Sequence, residues 1–123
     1  MSLPDAPPVE SVETKARAVA AVAADAHVQG FLKYLRTERN ASGHTLDAYR
    51  RDLVQCVDLL KWPPAGVAIP WQRLNLAVGR QLILLLQREG LARVSVRRKV
   101  STLRAFCRFL VREGVMPISA PRP

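Results

Sequence analysis

The chain has 123 residues, 49% of them apolar, and 19 Lys and Arg against 10 Asp and Glu give a net charge of +9 and a pI near 10.8. That length holds one domain with a modest core, and a pI above about 9 points to nucleic acid or an anionic membrane surface. No apolar run reaches the roughly 20 residues that span a bilayer, and the Ala-rich stretch 18–24 follows Glu10 and Glu13 rather than a cationic segment, which argues against a secretory signal.

Residues 1–13 include three prolines and little to bury, so a flexible tail is expected there. The first helix is expected from Thr14 to Arg39, with Val28, Phe31, Leu32 and Leu35 on its inner face, a weak point at Gly30 and a stop at Asn40. Ser42 can cap a second helix running to about Lys61. In it Leu46, Tyr49, Leu53, Cys56, Val57 and Leu60 recur at spacings of three and four. Trp62-Pro63-Pro64 ends that helix, and "PPAGVAIP" reads as a loop. Asn75 can cap a third helix, Leu76–Arg88, whose apolar composition predicts the deepest burial, and Gly90 stops it. "SVRRKVSTLRAFCRFLVREG" reads as a fourth helix, with Ser95 as its cap and Gly114 just past its end. Residues 117–123 read as a linker or a point of truncation. No stretch alternates as a strand would. The expectation is an all-α, compact four-helix bundle over residues 14–116.

The charge is uneven along the chain. Residues 1–30 carry −2, whereas residues 91–123 carry eight bases and one acid, or +7. At about 100° per residue, Val96, Val100, Leu103, Phe106, Cys107, Leu110 and Val111 fall on one arc of the fourth helix. Arg97, Arg98, Ser101, Arg104, Arg108 and Arg112 fall on the other. Lys99 and Phe109 are the departures. A merely solvated face usually mixes signs, because like charges one turn apart repel. A nearly pure basic arc is the electrostatic footprint of a nucleic-acid surface. A membrane-surface helix would need its apolar face free, and here that face has three other helices to pack against.

The start of the second helix supplies another candidate surface. Ser42, His44 and Thr45 occupy a first turn, where free N–H groups favour phosphate. Arg51 and Gln55 lie with His44 opposite the apolar stripe. Ser42 also reads as an ordinary cap, and His44 equally as an exposed polar residue. Cys56 and Cys107 form neither a CxxC motif nor a disulfide framework. They read as buried free thiols, consistent with a reducing cytoplasm. His27, His44, Cys56 and Cys107 lack metal-ligand spacing, so no metal, cofactor or small-molecule ligand is expected.

Two segments together resemble a known family. "SGHTLDAYRRDL", with Ser42, Thr45, Tyr49, Asp52 and Leu53, is followed by the basic helix, with Ser95, Arg98, Ser101, Leu103, Arg104, Phe106, Phe109 and Leu110. In this order and spacing they resemble the N-terminal core-binding domain of tyrosine recombinases, the phage integrase and Xer-like group. The resemblance covers about residues 22–116. It departs at Cys107, where the family often has a second aromatic.

That resemblance implies a SAM-like bundle whose second and fourth helices lie against one half-site of duplex DNA. It also implies neighbouring recombinase protomers and a separate C-terminal catalytic domain with a Tyr nucleophile. Tyr34 and Tyr49 lie in bundle helices, so this chain is expected to bind DNA without cutting it. The resemblance places Ser42, Thr45, Ser95, Arg98, Ser101 and Arg104 at DNA, with Leu103 and Phe106 in the core. Helical position adds His44, Arg51, Arg97 and Arg108. Most would hold phosphates, while Arg97 and Arg98 suit base edges. For residues 16–24 two readings stand, a contact with a neighbouring protomer or a flexible extension. Two other functions are also open: a free-standing DNA-binding regulator, and an interaction module whose basic face meets an acidic protein.

Overall fold

A computed structural model describes residues 9–62 and 68–116. They form five helices: α1 (Val9–Ala24), α2 (Ala26–Glu38), α3 (Gly43–Leu59), α4 (Leu76–Arg88) and α5 (Arg93–Arg112). A short 3-10 turn, Trp71–Arg73, precedes α4. No strand occurs among the described residues, so the all-α bundle stands, with five helices where four were expected.

The extra helix arises because the expected first helix divides at Asp25. That residue is extended (φ −75°, ψ 121°), and its Oδ1 accepts from the Val28 N–H at 2.9 Å, capping α2. Its Oδ2 accepts from Trp71 Nε1 at 3.1 Å, which ties the break to the 3-10 turn. α2 runs from Ala26 to Glu38 through Gly30 without a break. A Cβ at Gly30 would meet the Phe109 ring at 3.5 Å, an ordinary van der Waals contact, so Gly30 lies against α5 without the packing requiring a glycine. α1 begins ahead of Thr14 and packs on α3, burying Ala18 and Val22. The reading of residues 16–24 as a flexible extension is therefore replaced by a docked helix. The remainder of the expected tail, residues 1–8, and the expected linker, 117–123, lie outside the described residues.

Asn40 takes φ 53° and ends α2, as expected. Asn75 caps α4, its Oδ1 accepting from the Val78 N–H at 2.9 Å. Gly90 and Gly114 adopt the left-handed backbone that follows α4 and α5. Two expectations fail. Ser95 is not a cap: Ala92 is the extended residue before α5, which places Ser95 in the first turn, half-buried. Nor is α4 the most buried helix. Only Leu82 and Leu86 are buried in it, while Leu76 and Leu84 are 48% and 57% exposed. Apolar composition exceeded what this peripheral helix could cover.

The core is aromatic. Phe31 packs on Phe106, Phe109 and Tyr49 with ring centroids 5.2, 5.5 and 5.7 Å apart, and Trp71 meets Phe106 edge-on at 4.6 Å. Leu53, Cys56 and Val57 of α3 and Leu103, Cys107 and Leu110 of α5 complete it. Both cysteines are free and buried.

Candidate nucleic-acid interface

The buried arc of α5 is displaced from the expected one. Lys99, Thr102 and Phe109 are buried with Val96, Leu103, Phe106, Cys107 and Leu110, while Val100 and Val111 are only half-buried. Lys99 and Phe109 are thus part of the inner face. On the outer face Arg97, Arg98, Ser101, Arg104, Arg108 and Arg112 are all exposed.

Two grooves run where α5 meets α3. One, of about 910 Å³, is lined by Arg50, Arg51, Asp52, Gln55 and Asp58 of α3, Glu89 after α4, Arg98 and Lys99 of α5, and Lys15 of α1. The other, of about 500 Å³, is lined by Thr45 and Tyr49 of α3, Arg108 and Arg112 of α5, and Arg39 after α2. Arg104 points elsewhere, into a 320 Å³ groove between α4 and α5 that it shares with Arg80. The structure therefore brings Thr45, Arg51, Arg98 and Arg108 to the α3–α5 seam and sets Arg104 on the far flank of α5. Ser101 and Arg97 are exposed on α5, and Ser42 and His44 are exposed at the start of α3.

Ser42 caps α3 as expected. Its Oγ accepts from the Thr45 N–H at 3.2 Å and lies 3.0 Å from Thr45 Oγ1. The two hydroxyls thus support each other at an exposed helix N-terminus.

At the floor of the larger groove lies Asp52, 2% exposed. Its Oδ1 accepts from Lys99 Nζ at 2.9 Å and Arg98 Nη2 at 3.1 Å, and its Oδ2 accepts from Thr102 Oγ1 at 2.9 Å. No buried side-chain N or O among the described residues lacks a partner. Arg112 stacks over the Tyr34 ring at 4.8 Å and meets Glu38 at 3.3 Å. Arg97, Arg104 and Arg108 have no carboxylate within salt-bridge distance among the described residues.

Arg39, Arg112 and the Asp52–Lys99–Thr102 cluster belong to the seam without being among the residues expected there. One signal was present for the cluster: a lysine inside the apolar arc of α5 needs a buried anion. Asp52, adjoining the stripe of α3, could supply it. Arg39 had no such signal, because its place on the seam depends on how α2 packs.

No helix among the described residues is long and apolar enough to cross a membrane. They also contain no cluster of His, Cys, Asp or Glu suited to a metal ion.

A family model described as the phage integrase N-terminal SAM-like domain matches residues 28–114. A tyrosine recombinase XerC from Alcanivorax borkumensis is 39% identical over 88 residues, covering 72% of this chain and 27% of that protein. The XerC of Pseudomonas aeruginosa is 37% identical over 89 residues, covering 72% of this chain and 28% of that protein. That of Pelotomaculum thermopropionicum is 33% identical over 92 residues, covering 73% and 30%. The chain thus spans under a third of the length of these relatives. No solved structure matches it.

Proposed function

The chain belongs to the phage integrase N-terminal SAM-like domain family, and we propose that it is the DNA-gripping domain of a Xer-like tyrosine recombinase. In this reading α3 and α5 lie against one half-site of duplex DNA. Strand cleavage and joining belong to a separate catalytic domain, and further protomers occupy adjacent half-sites. One observation carries the reading. The exposed side of α5 presents seven basic or hydroxyl side chains, Arg93 among them, and four of its guanidiniums, those of Arg93, Arg97, Arg104 and Arg108, are free of any carboxylate among the described residues.

Phosphates would be held from both sides of the seam. Thr45 and Ser42 offer hydroxyls at the positive end of the α3 dipole, and Arg51 and Arg108 offer charge. Such contacts set register without reading sequence. Arg97 and Arg98, in the first half of α5, are the base-reading candidates, because a guanidinium matches the guanine edge bidentately. Ser101 and Arg104 extend the contact on the outer side of α5, Ser95 adds a hydroxyl in its first turn, and His44 lies at the start of α3.

The test is a titration of the chain against duplex DNA at several salt concentrations. About four neutralised phosphates give a log–log slope near −4. Arg97→Ala, Arg98→Ala and Arg108→Ala each weaken binding. A flat salt dependence, or no binding at low salt, contradicts the reading. Tight binding only to an acidic protein would favour the interaction-module alternative.

A further inference from the structure

We propose that Asp52 is a positioning residue: by holding Arg98 from beneath, it fixes that guanidinium to read a DNA base edge. The proposal rests on the DNA reading above and deepens it.

A buried carboxylate requires a cation or several hydrogen bonds. Lys99, with its side chain 9% exposed, lies 2.9 Å from Asp52 Oδ1, and Thr102 donates to Oδ2. These two already compensate the carboxylate. Arg98 is a second cation on the same oxygen, at 3.1 Å, yet its side chain is 57% exposed. The cluster of one anion and two cations keeps a net positive charge, and the exposed share of it is Arg98.

The bond from Arg98 uses Nη2 alone. A guanidinium has five N–H donors in a rigid fork, so several remain for a ligand over the groove. Arg97, Arg104 and Arg108 have no such anchor among the described residues. An anchored arginine gives up little further freedom when it docks, whereas a free one must be immobilised. The difference suits a division of work: free arginines hold phosphates, and the anchored one reads sequence.

The experiment begins by selecting a preferred duplex from a randomised pool with the wild-type chain. Binding to that duplex and to a scrambled one is then measured for three variants. The first is Arg98→Ala. The second, Asp52→Leu/Lys99→Met/Thr102→Val, removes the buried polar set together, so nothing is left unpaired. It loses one acid and one base, which leaves the net charge at +9. The third is Arg98→Lys.

The expected result is that the triple variant keeps the wild-type salt slope but loses about tenfold in discrimination. In its background Arg98→Ala costs little more. Arg98→Lys also keeps the slope and loses discrimination, because a single ammonium nitrogen must serve both Asp52 and the base edge and lacks the planar fork that matches guanine. If circular dichroism shows the triple variant unfolded, Arg98→Lys decides. Wild-type discrimination by the folded triple variant or by Arg98→Lys overturns the proposal. So does an Arg98→Ala variant that discriminates as the wild type does. Absence of any duplex binding by the wild-type chain refutes the DNA reading itself.

Discussion

The α3–α5 seam is built differently at its two ends: one is bridged by the Phe31 ring of α2, and the other is a direct polar contact. Toward the C-terminal half of α5, Phe106 and Phe109 lie against Phe31, and Phe31 against Tyr49, all ring on ring. Toward its N-terminal half, Lys99 and Thr102 converge on Asp52. Apolar packing is non-directional and tolerates small shifts. A carboxylate with three donors fixes angle and register. The directional end lies beneath Arg98, one of the base-reading candidates, and the apolar end lies beneath Arg108 and Arg112, which suit phosphate. Precision is thus placed where sequence would be read.

The apolar end is the more sensitive of the two to substitution. Phe106 is fully buried and touches both Phe31 and Trp71. Phe106→Ala is expected to cost about 4 kcal/mol in urea denaturation, with loss of the whole fold rather than of DNA binding alone. Asp52→Ala is next, at about 3 kcal/mol, because Lys99 is left buried without its anion. Adding Lys99→Met should recover much of that loss, an outcome no second change at the aromatic end would give.

The two thiols sharpen the contrast. Burial, then the Asp52 charge, holds the Cys56 thiol up at about 12 from an ordinary 9.0. Burial lifts Cys107 to about 11 while Arg108 pulls it down. Folding therefore favours the protonated thiols. Their contribution to stability is complete below pH 9.0 and is lost as pH climbs through 11 and 12. Neither thiol should react with Ellman's reagent near neutral pH until denaturant is added, and Cys56→Ala should soften the alkaline fall in the urea midpoint. The smallest effect belongs to Glu38→Gln. The Arg112–Glu38 pair is more than half exposed on both sides, so stability should change by less than about 0.5 kcal/mol, while DNA affinity rises slightly as Arg112 is released.

Local signals in the sequence were sufficient for the stripe of α3, the Asn75 cap and the stops at Asn40, Gly90 and Gly114, because each depends on near neighbours. The basic arc of α5 was legible for the same reason. What escaped depended on distant residues. Asp25 stands inside a strongly helix-forming run, and its role as a break is reinforced by Trp71, 46 residues away. Lys99 looked like an exception on the wheel, because its partner lies on another helix, 47 residues earlier. Arg104 shared an arc with Arg108, but two different neighbouring helices separate them into different grooves.

If the α3–α5 seam is the DNA surface, amide chemical shifts will map the duplex onto it. A short duplex is added at low salt to the isotopically labelled chain. Shifts should concentrate at Ser42 to Thr45, at Arg51 and from Arg97 to Arg112, with the outer faces of α1 and α4 unmoved. Shifts confined to α1 or α4, or none at all, would contradict that assignment of the surface.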